Sequence, residues 1–245
     1  MTALYLAIDT STRYGAVALW SGGTLVRAHS WYSRHNHTSE LMPAVQAALA
    51  ASGATMADLA GVAVAQGPGG FSALRSGLGV AKGLAFAAGV PVVGISTVEA
   101  TAYPHRGAGL PLCALIESGR GIVGWARFQQ TDSWARRTPD RVTPIEAMLE
   151  ARGRHTLFCG EGVATHADAI RDALGDRAHL IIEPAPLSRV AGVAELGAQR
   201  LDAGDSDPVA SLAPRYLRSP AITPPKPPKP IHPGGYNLPR TKATS

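Results

Sequence analysis

Asp9-Thr-Ser-Thr12 places a carboxylate and three hydroxyls at the end of the apolar run Leu4–Asp9. An acid directly after a first strand can hold a hydrated Mg²⁺ beside phosphates. A second chemical candidate is the turn Gly67-Pro-Gly-Gly70, which leads into a helix. Its glycines allow close backbone approach, and a helix N-terminus favours an anion. Gly160-Glu-Gly-Val-Ala164, also before a helix, resembles a degraded second nucleotide loop. Asp9, Ser11, Thr12, Gly67, Gly69, Gly160 and Gly162 are therefore the candidate nucleotide site. The competing reading is that both turns are inherited and keep only their backbone shape. It is the favoured one, because isolated glycine-rich turns are common. His35, His37 and Glu40 invite a metal-protease reading, which needs His-x-x-x-His around a glutamate. His35 and His37 are two apart and would diverge on a helix, so they read as loop histidines before a helix. Glu99 and Asp58 read as solvated acids at helix ends.

The elements that position these residues follow from periodicity. Leu4–Asp9, Gly15–Trp20 and Thr24–Ser30 read as strands, with Ser21-Gly-Gly23 as a hairpin turn. Ser39 caps a predicted helix to about Ala51, carrying Leu41, Met42, Val45, Ala48 and Leu49 at helical spacing. Gly61–Ala65 is a strand, followed by a helix to Ala88, a strand at Val90–Gly94 and a helix from Thr97 to Tyr103. Pro104–Gly109 reads as a junction. Strands are then expected at Leu112–Ile116 and Ile122–Phe128, with a weak one near Trp134–Arg137. A helix at Pro144–Arg152, a strand at Thr156–Cys159 and a helix at Thr165–Leu174 come next, then a strand at Leu180–Ile182 and a helix at Val190–Ala203. This order predicts an α/β chain of the actin-like ATPase (ASKHA) fold, with two RNase H-like βββαβαβα subdomains. Residues 1–104 and 105–218 would be the two subdomains, and 219–245 a Pro-rich basic tail expected to be disordered.

The helix from Phe71 to Ala88 carries Gly77, Gly79 and Gly83. Each glycine costs about 1 kcal/mol relative to alanine in a helix interior. Such an arrangement calls for the close approach of another backbone.

Composition narrows the classes. The formal charge is +5, but residues 219–245 hold Lys226, Lys229, Arg240 and Lys242 and no acid, leaving +1 for residues 1–218. The body alone is thus a poor polyanion binder. Cys113 and Cys159 lie far apart, and form neither a zinc motif nor a disulfide framework. The N-terminal run has no basic lead and meets Asp9 early, so no signal peptide is expected. Lys82 and Pro91 interrupt the longest apolar stretch, so no membrane span is expected and a cytoplasmic location is.

Four segments in this order resemble the TsaB (YeaZ) family: Leu6-Ala-Ile-Asp-Thr-Ser-Thr12, His37-Thr-Ser-Glu-Leu-Met-Pro43, Gly67-Pro-Gly-Gly-Phe-Ser-Ala-Leu-Arg-Ser-Gly77 and Gly89-Val-Pro-Val-Val-Gly-Ile-Ser-Thr-Val-Glu-Ala100. Pro214-Arg-Tyr-Leu-Arg218 adds a weaker match. The resemblance is strong over residues 4–100 and departs from the family pattern at Gly70, Ala73, Ser76 and Glu117-Ser-Gly-Arg120. It implies a part in making N6-threonylcarbamoyladenosine at position 37 of tRNAs. The related catalytic family, TsaD, carries Asn-His-x-x-Gly-His after the equivalent strand, and its histidines bind a metal. The matching residues here are Ser96-Thr97-Val-Glu-Ala-Thr101, and hydroxyls replace imidazole poorly at a transition metal.

The resemblance therefore implies a non-catalytic partner subunit that activates a TsaD-type transferase. The expected interface comprises Leu41, Met42, Val45, Leu74, Arg75, Leu78, Gly79, Lys82 and Phe86. A TsaE-type ATPase subunit and tRNA would be further partners within the complex, and a second copy of the chain would cover the surface when alone. No cofactor is required by this chain, and ATP and magnesium would belong to the complex. The rival readings are a small actin-fold ATPase or kinase using Asp9 and the Gly67–Gly70 turn, and an RNA-binding module using the tail.

Overall fold

Continuous apolar runs build β1 (Leu4–Asp9) and β2 (Tyr14–Ser21), which with the more exposed β3 (Thr24–Tyr32) form an antiparallel meander. The computed structural model describes residues 2–34, 36–119, 121–150, 155–182 and 185–217. The expected tail, His35 and Arg120 lie outside them. Helix α1 (His37–Ala50) follows, then β4 (Leu59–Gly67), α2 (Phe71–Ala88), β5 (Val92–Ser96) and α3 (Thr97–Ala102). β4 and β5 add in parallel, giving the order β3-β2-β1-β4-β5. Asn36, not Ser39, is the N-cap of α1, so the helix begins three residues earlier than expected. Ser39 instead donates its hydroxyl back to the Asn36 carbonyl at 3.0 Å.

The second sheet has β6 (Leu112–Glu117), β7 (Ile122–Gln130), β8 (Trp134–Arg136), β10 (Thr156–Cys159) and β11 (Ala178–Leu180), in the order β11-β10-β6-β7-β8. The unexpected β9 (Arg141–Pro144) pairs with the first half of β7, beside β8 on the second half. Its sequence, Arg-Val-Thr-Pro, carries only one alternation and ends in proline, too little for a period-2 signal. Helices α4 (Ile145–Glu150) and α5 (Gly162–Leu174) belong to this sheet's side.

The last helix, α6 (Pro186–Asp202), does not stay with the second half of the chain. Its Val190, Val193 and Ala194 share a core with Ala7, Ala16, Ala63 and Val93 of the first sheet. Close crossing makes this work: a Cβ on Gly192 would sit 2.3 Å from the Ala100 carbonyl oxygen, and one on Gly197 2.3 Å from the Ala63 Cβ. The following segment also returns to the first sheet. Asp207 pairs with Val92 in an antiparallel bridge, and Leu212 is buried with Leu6, Leu41, Leu78 and Val92. Thus the first sheet is covered by α1 and α2 on one face and by α6 on the other, although α6 lies beyond residue 104.

Candidate functional site

β1 delivers Asp9 to the end of the first sheet, and the next residues turn sharply under it. The Asp9 carboxylate is wholly buried. Its Oδ1 accepts the Ser11 backbone N–H at 2.9 Å and the Ser11 hydroxyl at 2.6 Å. Its Oδ2 accepts Nε of Arg189, from the first turn of α6. The same guanidinium pairs with Glu161 and donates to the Thr12 hydroxyl at 3.0 Å. Thr12 in turn donates to Glu161 at 3.0 Å. Burial works against the Arg189 charge, but Asp9 and Glu161 outweigh it and raise its pKa further. The arginine is therefore permanently ionised.

A cleft of about 980 Å³ opens in front of this cluster, between the two sheets, with Thr12, Arg13, Gly69, Gly70, Glu161 and Tyr216 among its lining residues. Ser11 and Thr12 face it, whereas Asp9 lies behind them. A Cβ on Gly69 would stand 2.4 Å from the Ser11 carbonyl oxygen, so this glycine permits two turns to touch. The Gly70 N–H donates to that same carbonyl at 2.8 Å. Gly67 lies against the Arg215 carbonyl, while Gly160 (φ +100°) and Gly162 pack on Leu115. These glycines serve contacts within the chain. An actin-like fold implies a metal–nucleotide at Asp9, and the residues present do not fit one. Both carboxylate oxygens have partners, and a guanidinium stands where a cation would.

His37 is buried, with Nε2 2.9 Å from the Thr12 carbonyl oxygen, so it braces the Asp9 turn. Glu40 accepts the Trp31 indole N–H at 2.9 Å. Asp58 takes the Thr55 N–H and hydroxyl, each at 2.7 Å, and those bonds lower its pKa. Glu99, expected from its helix-end position to be a solvated acid, is not one. It pairs with Arg136 and accepts the Trp134 indole at 3.1 Å, because the second sheet folds over α3. Thr97 and Thr101 are both buried, and the Thr101 hydroxyl donates to the Thr97 carbonyl at 2.8 Å. Among the described residues no three His, Cys, Asp or Glu side chains converge as a metal site.

The expected interface divides. Leu41, Val45, Leu74 and Leu78 are corrected: they are at most 3% exposed and pack within the protein itself, holding α1 and α2 in place. Helical periodicity finds an apolar face but does not say which neighbour covers it. Arg75 lies over the Phe71 ring at 4.0 Å and donates from Nε to the Tyr216 hydroxyl at 2.8 Å. Lys82 donates to the Leu212 carbonyl at 3.0 Å. Both cations therefore brace the C-terminal segment. What faces solvent is Phe86, 81% exposed, on one face of α2 with Gly79 and Gly83, whose missing Cβ positions meet nothing within 4 Å. Met42 of α1 is half-buried, and a Thr38–Ser76 hydroxyl contact of 3.0 Å joins the two helices.

Sequence reasoning missed Arg189. A signal was present: Arg189, Val193 and Gly197 fall four apart on one face of α6, and that face is otherwise apolar. A lone arginine on such a face implies a buried acidic partner.

The two sheets, the glycine turns and the intervening cleft define an actin-like chain. The fold is similar to that of the ROK hexokinase from Thermus thermophilus (TM-score 0.51, 11% identity, 81% of this chain and 99% of that one). Likeness is higher to YeaZ from Pseudomonas aeruginosa (TM-score 0.72, 25% identity, 88% of this chain and 100% of that one). A family model described as TsaD, tRNA N6-adenosine threonylcarbamoyltransferase, matches residues 31–225. The tRNA threonylcarbamoyladenosine biosynthesis protein TsaB of Escherichia coli is 32% identical over 222 residues, 87% of this chain and 94% of that protein. The chain belongs to the TsaB (YeaZ) family. Among the described residues, no helix is long and apolar enough to cross a membrane.

Proposed function

We propose that this chain serves the synthesis of N6-threonylcarbamoyladenosine at position 37 of tRNAs as a non-catalytic subunit. It docks a TsaD-type transferase through the outer face of α1 and α2 and holds that enzyme in its active form. A TsaE-type ATPase and tRNA join the same complex, and a second copy of the chain covers the docking face when the transferase is absent. The observation that carries the reading is the open helix face at Gly79, Gly83 and Phe86. Its small residues let a partner helix approach the α2 backbone, and Phe86 supplies an apolar anchor. The buried hydroxyls of Thr97 and Thr101 support the non-catalytic part, since they lie where the catalytic family carries metal-binding histidines.

The test is reconstitution with a TsaD-type subunit, the TsaE-type subunit, threonylcarbamoyl-adenylate and tRNA. Turnover is expected to require both this chain and the transferase. Modification by this chain alone, or unchanged turnover on its omission, would refute the proposal. Gly79→Leu is expected to abolish co-elution with the transferase while leaving the fold intact, because open space surrounds that position. Normal co-elution would exclude this helix face. The rival ATPase reading is tested by calorimetry with MgATP: tight binding lost on Asp9→Ala would favour it. The RNA-binding reading is tested by deleting residues 219–245, and it fails if tRNA affinity is unchanged.

A further inference from the structure

Arg189 joins parts of the chain that the cleft separates. Asp9 ends β1 of the first sheet. Glu161 precedes α5, on the side of the second sheet. Arg189 is 2% exposed and contacts both, with Thr12 closing the ring at 3.0 Å from the guanidinium and from Glu161. Three polar elements thus meet at the root of the cleft with little access to water. The side chain also cannot swing away easily, because α6 is packed against α3 and the first sheet through Gly192 and Gly197.

We propose that Arg189 is a resident cation which latches the two lobes through Asp9 and Glu161 and excludes a divalent metal from that carboxylate pair. A bound metal ion would bridge acids from two lobes only while it stayed bound. A guanidinium carried by the chain bridges them always, with directed hydrogen bonds to each carboxylate. The lobes therefore keep one relative orientation with no ligand in the cleft. Losing the arginine leaves two carboxylates facing each other in a poorly solvated site, where like charges repel and a divalent cation is the natural replacement. The inference goes beyond the scaffold reading and does not depend on it, since its test uses the isolated full chain and no partner.

The experiment compares the wild-type chain with Arg189→Ala, Asp9→Asn/Arg189→Ala and Glu161→Gln by thermal unfolding. Each is measured in MgCl₂ or MnCl₂ and in NaCl of matched ionic strength. The wild-type Tm is expected to be the same in all three salts. Arg189→Ala is expected to fall by about 10 °C, the scale for stripping one partner from a buried ion cluster in a chain of this size. Mn²⁺ should restore part of that loss in a saturable way, and Asp9→Asn/Arg189→Ala should lose the Mn²⁺ response. A Tm for Arg189→Ala within 2 °C of wild type, or the absence of a Mn²⁺ response, would overturn the proposal. So would saturable Mg²⁺ or Mn²⁺ binding by the wild type. If Arg189→Ala does not fold, Glu161→Gln decides, because it weakens only the link to the second lobe. Faster amide exchange at both residues 9–13 and 156–165 is expected; unchanged exchange at both, or a change at one alone, would overturn the latch.

Discussion

Individual side chains here are set by what α6 and its flanking segment bring to them. Tyr5 is buried at the start of β1 and donates its hydroxyl to Asp202 at the end of α6. Burial first, then the bond and charge of Asp202, push its pKa from 10.0 up to about 12. The unfolded chain thus loses this proton near pH 10 while the folded chain holds it. The contribution is complete below pH 10 and is lost as pH rises through about 12. Urea unfolding is expected to show stability falling between those values, with a shallower fall for Tyr5→Phe. The two thiols follow the same physics: burial dominates both, although Arg127 beside Cys113 works in the opposite direction. Burial pushes Cys113 up to about 12 and Cys159 higher still, so both behave as small apolar residues.

At the scale of elements, glycines of similar appearance do different work. In α2, Gly77 faces inward, where a Cβ would stand 2.4 Å from the Thr10 hydroxyl oxygen, while Gly79 and Gly83 face open space. Gly79→Ala should therefore stabilise the isolated chain by about 1 kcal/mol through helix propensity. Gly192→Ala should instead destabilise it by about 1–3 kcal/mol, because the new methyl meets the Ala100 carbonyl of α3. Urea denaturation of the two variants side by side checks both signs. A stable Gly79→Ala chain that still binds the transferase, beside a Gly79→Leu chain that does not, would separate helix stability from docking.

Across the whole molecule, the chain closes on itself through its last described segment. The Asp207 carboxylate accepts the Gly94 N–H at 2.7 Å. Leu212 enters the first core at 5% exposure, and the Arg215 N–H donates to the Gln66 carbonyl at 2.9 Å. Tyr216 then stacks on Phe71 with ring centroids 4.8 Å apart. Residues 207–216 thereby strap β5, β4 and the start of α2 together, and Arg215 and Tyr216 at their end line the cleft. Leu212→Ala should cost about 2–5 kcal/mol by opening a cavity in the first core. Chemical denaturation checks it, and a loss under 1 kcal/mol would mean that the strap adds little to the first lobe.

The sequence by itself determined the elements and their kind, with β9 the exception. The apolar run Leu4–Asp9, the glycine turn before Phe71 and the small apolar helix to Ala88 are local patterns, written in neighbouring residues. Four motifs in order also sufficed to place the chain beside its family. Tertiary structure alone decided where each apolar face goes. Leu41, Val45, Leu74 and Leu78 have the periodicity of an interface and the burial of a core, and periodicity is the same for both. It alone also decided the fate of Asp9. Arg189 lies 180 residues along the chain, and only the return of α6 to the first sheet brings it there. Contacts between distant segments depend on how helices and sheets stack, which no window of neighbouring residues contains.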